Sequence, residues 1–205
     1  MSEPRNRARK IEYVTSGILH WGVHDDRIDF RSDAYALREA GWSVLIDPLP
    51  LKEALLPELG HVEAICLTGS CHQRSAWRYR KRFGTKVYAP EGSKGLEEKP
   101  DVWYGEGNRL LGGLVAIHAP GPTEVHYAFH FMRGDALFCA DILANEGEKL
   151  GFVPAKYQDD PKRTRVTAGR FLKLPFSTLC VAHGAPITDD PHAAIRQALE
   201  ADKLR

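Results

Sequence analysis

The apolar residues of this chain fall mostly in short runs separated by glycine, proline and charged residues. Such runs, rich in Val, Ile, Leu and aromatic residues, are typical of β-strands. In the first half of the chain they predict strands at 11–23, 32–37, 42–46, 62–67 and 86–90. The turn residues Glu39-Ala40-Gly41 predict that the second and third of these strands form a hairpin.

Two stretches of the first half have helical character instead. Residues 75–83 place Ala76, Tyr79 and Phe83 on one helix face, and 51–59 is a short helix candidate. The charged, glycine-containing segment 91–101 is predicted as a loop or a short helix.

The second half repeats this organisation. It predicts strands at 102–104, 109–111, 114–118, 125–132, 136–139 and 178–182, with an irregular segment at 147–160. Residues 161–172 have helical composition, and Asp190-Pro191 predicts the start of a last helix, because Asp caps helices and Pro fits the first turn. Two strand-rich halves, each closed by helices, predict an α+β fold in four layers, an αββα sandwich.

The composition limits the domain organisation and the possible partners but does not identify a function. The chain has 205 residues, 43% of them apolar and 27% charged, with a net charge of +1. This balance predicts one globular domain at 11–205 after a flexible basic arm at 1–10, and gives no global attraction to nucleic acid or membranes. The polar N-terminus predicts a cytoplasmic address. A homodimer through a strand edge, or through the regions of Trp77 and Trp103, is also compatible with the sequence.

The four cysteines do not form a disulfide or metal-binding spacing pattern. Cys66, Cys139 and Cys180 lie in apolar strand-like runs and are predicted to be buried. Cys71 lies in a loop, where a thiol is able to act as a metal ligand or nucleophile. Nucleophilic catalysis by Cys71 with His72 is the less favoured interpretation, because adjacent residues rarely face each other.

Five segments in order resemble the metallo-β-lactamase superfamily. A strand-to-helix loop, Thr68-Gly69-Ser70-Cys71-His72-Gln73-Arg74, stands where the family has His-x-His-x-Asp-His after a Thr. The other segments are 43–47, ending in Asp; Ala119-Pro120-Gly121-Pro122-Thr123, similar to Pro-Gly-His-Thr; 135–141, ending in Asp; and 182–187, with a His-Gly pair. The resemblance implies the αββα sandwich as a single domain.

The resemblance also implies a metal cleft. In the family, His and carboxylate ligands bind two metal ions that generate hydroxide at neutral pH for hydrolysis. Of the seven ligand positions, Asp141 and His183 carry the usual residue types. Gly69 and Pro122 offer no side-chain donor, and the permanent charge of Arg74 repels a cation. A two-metal site is therefore not expected.

Two functions remain open from the sequence. In the first, Asp141, His183 and Cys71 bind one divalent metal, zinc by preference, with His72, His118 or His126 as a fourth ligand. The protein is then a hydrolase of an ester, thioester or phosphoester, with no catalytic residue assigned.

In the second, no metal binds. Asp141 and His183 hold loops by hydrogen bonds, and Arg74 pairs with Asp141 in place of the metal. The same cleft then binds a small molecule or a protein partner. Under either interpretation, Arg74, His72, Gln73 and His118 are the candidate residues for a small anionic ligand.

The remaining histidines and the basic helix have structural interpretations. His126 and His130 are predicted to be half-exposed on one sheet face, and His20 and His24 to lie at the surface or the rim of the cleft. The basic residues of the helix at 75–83 are interpreted as a solvated face rather than an RNA footprint, so nucleic acid is not expected as a partner.

Overall fold

The computed structural model describes residues 3–147 and 149–202. The chain divides into two compact units. Unit 1 comprises the residues up to Gly105 together with Leu110–Gly112, and unit 2 comprises 106–109 and the residues from Gly113 onward. Each unit has its own sheet and its own hydrophobic core, as the α+β prediction requires.

Unit 1 is built on a seven-stranded sheet in which the strands follow chain order. Its strands are β1 Glu12–Thr15, β2 Ile18–Asp25, β3 Phe30–Glu39, β4 Trp42–Ile46, β5 His61–Cys66, β6 Lys86–Pro90 and β7 Val102–Tyr104. Strands β1 to β4 are antiparallel, and β4 to β7 are parallel. Helix α1, Ala76–Phe83, connects β5 to β6, and 3-10 turns cover Glu53–Leu59 and Ser70–His72.

Two strand predictions in this unit were wrong. Residues 11–23 form two antiparallel strands, since Gly17 takes a left-handed φ of 89° in the turn that joins them. Strand β7 pairs in parallel with β6, so it belongs to the sheet of unit 1 and not to the second strand set. The predicted hairpin is confirmed, because Ala40 and Gly41 both have positive φ, as a tight turn between twisted strands requires.

The core of unit 1 holds α1 against the sheet. Ala76 and Tyr79 are fully buried, as their helical spacing predicted. The Tyr79 hydroxyl donates to the Leu49 carbonyl and accepts from the Leu51 N–H, so a buried polar atom is satisfied in the loop after β4. Burying the tyrosine ring therefore fixes this loop as well as the helix.

The first described residues also contact this unit. Glu3 accepts hydrogen bonds from Ser75 Oγ and Arg78 Nε, and Ala8 forms an isolated bridge with Leu51. Residues 1–2 of the predicted flexible arm lie outside the described residues. The flexibility of the arm stays a prediction.

Unit 2 contains a four-stranded sheet in the order β13-β10-β9-β8. These strands are β8 Val115–His118, β9 Tyr127–Phe131, β10 Ala136–Ala140 and β13 Thr178–Val181. A two-stranded ribbon follows, β11 Ala144–Glu146 and β12 Lys149–Gly151, with helices α2 Pro161–Phe171 and α3 Pro191–Ala201. Two 3-10 turns cover Met132–Gly134 and Ala155–Tyr157, and a third, Leu111–Gly113, lies where the chain passes from unit 1 to unit 2.

Two predicted segments of unit 2 differ from the structure. The expected strand at 109–111 is reduced to an isolated bridge between Arg109 and Val115. The segment 147–160, expected to be irregular, contains β12 and a 3-10 turn; Glu148 lies outside the described residues.

Both helix starts in unit 2 follow the capping signals. The carboxylates of Asp160 and Asp190 accept the N–H groups of Arg163 and Ala193, each at 2.9 Å. Among the described residues, no helix combines the length and apolarity needed to cross a bilayer.

Candidate functional site

The first cluster of candidate residues lies in unit 1, where β4 and β5 end. We call Asp47, Thr68 and His72 the Asp47 cluster. Asp47 follows β4 with a left-handed φ of 47°, and its carboxylate accepts the Thr68 N–H at 2.8 Å and the Thr68 hydroxyl at 2.6 Å. The neighbouring parallel strands β4 and β5 are thus tied together at their carboxyl ends.

His72 completes this cluster. Its Nδ1 lies 2.7 Å from Thr68 Oγ1 and 3.1 Å from Asp47 Oδ2, and the residue is 3% exposed. From sequence, His72 was a candidate for binding a small anionic ligand and one of three candidates for a fourth metal ligand. Its buried partners were missed, although Asp47 and Thr68 each close a predicted strand, which is the signal that places them at one sheet edge.

Cys71 shares the 3-10 turn with His72 and is exposed. Its Sγ lies within 4.8 Å of a ring nitrogen of His72. Burial raises the pKa of the other three thiols, Cys66, Cys139 and Cys180, above the usual range. Within the described residues, which include all four cysteines, no disulfide forms. Cys71 is therefore the accessible thiol, as predicted.

Gln73 is a buried anchor for the loop after β6. Its amide oxygen accepts the Trp77 indole N–H and the Glu97 backbone N–H, each at 2.7 Å. Its amide nitrogen donates to the Gly95 carbonyl at 3.1 Å. These contacts favour a structural role over the ligand-binding role predicted from sequence.

Arg74 is also used inside unit 1. It is 3% exposed, has a left-handed φ of 34°, and donates from Nη1 to the backbone carbonyls of Asp33 at 2.9 Å and Asp47 at 3.3 Å. Burial alone would raise the pKa of Asp25, but hydrogen bonds from Arg27, with the charges of Arg27 and Arg74, outweigh it and lower that pKa. The guanidinium thus stabilises buried acceptors, which favours a structural role over anion binding.

The second cluster lies in unit 2, after β10. His183 Nε2 is 3.2 Å from Asp141 Oδ1, and we call these residues the Asp141 pair. Ala140 has a left-handed φ of 48°, where the register between β10 and β13 shifts, and this bend directs the chain into Asp141. The sequence named both residues, and the structure brings them together.

His126, the residue just before β9, supports the Asp141 pair. Its Nδ1 is 2.8 Å from the Ala119 carbonyl, and its Nε2 accepts the Asp141 N–H at 3.3 Å. The prediction of half-exposed histidines here was wrong: His126 is 0% and His130 5% exposed. His130 instead bonds the Pro175 carbonyl at 2.7 Å. His20 and His24 were predicted at the surface or the rim of the cleft; this was wrong for His20, which is buried against Asp33, whereas His24 is exposed.

The His183 loop is fixed by Asn145. The Asn145 N–H donates to the His183 carbonyl at 2.8 Å, and its side-chain amide donates to the Ala185 carbonyl at 2.8 Å. Gly184 between them has φ 112°, and a Cβ there would lie 1.9 Å from the Asn145 carbonyl oxygen. Only glycine therefore allows this close approach.

The remaining predicted residues of unit 2 lie at the end of β8 and in the loop that follows it. His118 is half-buried, and its Nε2 lies 2.8 Å from the Glu124 carbonyl. Gly121 has φ 136°, and a Cβ there would lie 2.3 Å from Thr164 Oγ1, so this loop packs closely on α2. Pro122 offers its backbone carbonyl, which accepts the Asp159 N–H at 3.0 Å.

The basic face of α1 is paired with acids. Arg80 contacts Glu98 at 3.2 Å and Asp101 at 2.7 Å, and Lys81 contacts Glu98 at 2.9 Å. These ion pairs reduce the positive field of the helix, in agreement with a solvated, charge-balanced face.

The two sheets with their helices define an α+β protein in which Asp141 and His183 lie on loops at the ends of β10 and β13. The sequence profile of the metallo-beta-lactamase superfamily matches residues 15–197. The chain belongs to this superfamily, and the predicted family and fold are confirmed.

Solved structures agree with the fold. A metallo-beta-lactamase from Pontibacter korlensis superposes with a TM-score of 0.74 at 15% identity, over 94% of this chain and 99% of that chain. The FIM-1 enzyme from Pseudomonas aeruginosa, in a mono-zinc form, gives 0.71 at 14% identity over 100% of both chains. A metallo-beta-lactamase family protein from Thermus thermophilus gives 0.67 at 19% identity, over 92% of this chain and 78% of that chain. No curated protein matches the sequence.

Proposed function

We propose that this protein is a hydrolase-like member of the superfamily that binds a single divalent metal, zinc by preference, through Asp141 and His183. The observation that supports this is the 3.2 Å separation of Asp141 Oδ1 and His183 Nε2. When bound, such an ion acts as a Lewis acid toward an ester, thioester or phosphoester substrate.

The donor separation fits a shared metal. Two ligand atoms, each about 2.1 Å from a tetrahedral zinc, lie about 3.4 Å apart. The 3.2 Å of the Asp141 pair is close to this value. Since His126 holds the Asp141 backbone and Asn145 holds the His183 backbone, both donors are preorganised. Metal binding then requires little further ordering of either loop.

The residues of unit 1 support one metal rather than two. Gly69, Cys71, Gln73 and Arg74 occupy the positions of the family's first metal motif. Gln73 and Arg74 are both buried and hydrogen-bonded to nearby backbone. We therefore propose that the positions of this first motif hold no second ion. Cys71, predicted as a third ligand, stays a prediction. A solved structural neighbour, the FIM-1 enzyme, has a mono-zinc form, which gives a precedent in this fold.

One observation favours a second function. The 3.2 Å separation is also within ion-pairing distance of His183 and Asp141. If this contact replaces the metal, the protein is a metal-free member that binds a small anionic molecule or a protein partner. Arg74, being 3% exposed, would then support the fold and not contact the ligand.

Metal analysis of the purified, tag-free full chain separates the two functions. After loading with zinc, manganese or iron and removal of excess metal, we expect about one ion per chain. Asp141→Asn and His183→Gln should lose it. His192→Gln is the matched control. The His192 side chain contacts the Leu174 carbonyl at 2.9 Å, and His192 is not one of the proposed metal ligands.

If the wild type binds no metal after any loading, the hydrolase proposal is wrong and the metal-free function is supported. If metal binds and is lost in both variants, ester, thioester and phosphodiester substrates are the next assays. Folding of each variant is checked by circular dichroism and thermal unfolding.

A further inference from the structure

We propose that the outer edge of β1 is a dimerisation surface, on which residues 9–13 pair antiparallel with residues 9–13 of a second copy of this chain, centred on Ile11. This inference goes beyond the proposed function and does not depend on a metal. In the described part of the chain, β1 is the first strand of its sheet and pairs with β2 alone. Its other side therefore presents backbone N–H and C=O groups to a further strand.

The edges of the sheet in unit 2 are covered, and this contrast singles out β1. Strand β13 is bordered by Ile187, which exchanges both backbone hydrogen bonds with Leu179, at 2.8 and 2.9 Å. Strand β8 is bordered by Asn108, whose carbonyl accepts the Ala116 N–H at 2.9 Å. Covering an edge in this way prevents pairing with other chains. Among the described residues, none borders the outer side of β1 as these do.

Two features set the limits of the available segment. On its N-terminal side, both backbone groups of Ala8 bond the loop after β4, at 2.8 and 3.1 Å, so they are occupied. On its C-terminal side, the register between β1 and β2 shifts between Tyr13 and Thr15, and such a bulge bends the strand. The segment between these limits is 9–13, and its central residue is Ile11.

The sequence of this segment, Arg9-Lys10-Ile11-Glu12-Tyr13, is complementary to itself when reversed. In an antiparallel pair centred on Ile11, Lys10 lies opposite Glu12 of the second copy, and Arg9 lies opposite Tyr13. Opposite charges directly across two strands attract, and an arginine beside a tyrosine ring forms a cation–π contact. Centring the pair on Lys10 or on Glu12 would instead place like charges opposite each other. The two-fold axis forms each favourable contact twice, as an isologous interface requires.

The polar side chains of this segment are exposed and weakly held. Lys10 and Glu12 have side chains 74% and 51% exposed and contact each other at 2.6 Å. An exposed ion pair of this kind contributes little, so exchanging it for the same pair across the two-fold axis is easy. Tyr13 is 66% exposed, although its hydroxyl accepts a hydrogen bond from Arg38 at 3.2 Å. Ile11 packs against the core of unit 1, which holds the centre of the segment on its sheet.

Analytical ultracentrifugation of the full chain over a wide range of concentration tests this surface. Residues 9–13 are far fewer than the roughly 20–30 residues a side of a standard interface, so the dimer should be weak. The weight-average mass of the wild type should rise from one chain toward two as the concentration increases. Glu12→Lys and Lys10→Glu should each weaken association by about 10-fold or more, because like charges then meet twice.

Glu63→Lys is the matched control. It makes the same charge change as Glu12→Lys at an exposed position of β5, where Glu63 lies 3.6 Å from His61. This variant should associate like the wild type, since β5 is paired on both sides within its own sheet.

A mixture of the two charge variants is the sharpest test. The Glu12→Lys chain carries two lysines in this segment and the Lys10→Glu chain carries two glutamates, so the antiparallel register pairs opposite charges again. The mixture should associate at least as well as the wild type, and the double variant Lys10→Glu, Glu12→Lys should dimerise by itself. Recovered association also shows that each single variant is folded.

Three results would overturn the inference. The first is a wild type that stays monomeric at every concentration. The second is wild-type association of both single variants, which would place the contact elsewhere, for example at Trp103, which is 42% exposed. The third is a mixture that stays monomeric. Because all of these measurements are made on metal-free protein, failure of the proposed metal site leaves this inference intact, and a monomeric protein leaves the proposed function intact.

Discussion

His126 provides the sharpest test of how unit 2 prepares the Asp141 pair. The substitution His126→Leu replaces the imidazole with an apolar side chain of similar size. It removes the acceptor of the Asp141 N–H and the donor to the Ala119 carbonyl. Because His126 is fully buried, water cannot readily replace these contacts.

The size of the effect follows from the two bonds. A buried polar group left without its partner costs about 1–3 kcal/mol. The Ala119 contact, at 2.8 Å, should be worth more than the Asp141 contact, at 3.3 Å. We expect a loss of about 2–4 kcal/mol in the free energy of unfolding, and faster hydrogen exchange at the Asp141 amide.

The assay is urea unfolding of the full chain, with zinc titration alongside. His130→Leu is the matched control, since His130 lies four residues further along the chain, is 5% exposed and bonds the Pro175 carbonyl at 2.7 Å. Both variants should be destabilised, but only His126→Leu should weaken zinc binding. A His126→Leu protein with wild-type stability and wild-type zinc affinity would refute the assigned contacts.

Three further predictions concern other positions. Gly184→Ala should destabilise the protein by about 3 kcal/mol or more in urea unfolding, because its Cβ would meet the Asn145 carbonyl at 1.9 Å; an unchanged midpoint would contradict the close approach. Asp25 has a lowered folded pKa, so its contribution to stability is present above the usual Asp pKa of about 3.9 and is lost as the pH falls through the folded value. Asp25→Asn should therefore flatten the loss of stability measured between about pH 5 and pH 2, and parallel curves for the two proteins would exclude this role. Gln73→Leu should cost about 2–4 kcal/mol and speed limited proteolysis in the loop after β6, and an equally resistant loop would show that its hydrogen bonds are dispensable.

The parts of the fold predicted correctly are those with local signals. The β3–β4 hairpin depends on Ala40 and Gly41, and the start of α3 depends on the cap Asp190. Each signal lies within a few residues of the structure that it determines. The strand at 11–23 was predicted too long because a single glycine turn leaves the hydrophobic pattern almost unbroken.

The prediction that His126 and His130 are half-exposed was wrong for a different reason. Alternating exposure was assumed along the strand, but all five residues of β9 are buried. A strand buried on both faces has no alternation for the sequence to display. Its polar residues are then satisfied by partners from distant loops, such as Pro175.

The candidate site was predicted only in part, because the sequence displays local motifs but not contacts between distant residues. Asp141 and His183 were found because their short motifs are local. The Asp47 cluster was missed because its hydrogen bonds join Asp47 and Thr68, which are 21 residues apart. A single sequence gives the ends of β4 and β5 but not the side-chain contacts that form when the two strands pair.

The anchoring role of Gln73 has an evolutionary consequence. A change to Asp, the residue of the family motif at this position, would lose the bonds to Gly95, Trp77 and Glu97 before any new ligand contributed to metal binding. A change of Arg74 to His would likewise release two buried carbonyls. Each of these substitutions alone is thus expected to lower the stability of the fold, and a metal ligand set would form only when several occur together. Single substitutions toward the family motif are therefore expected to destabilise the protein before they add a metal ligand.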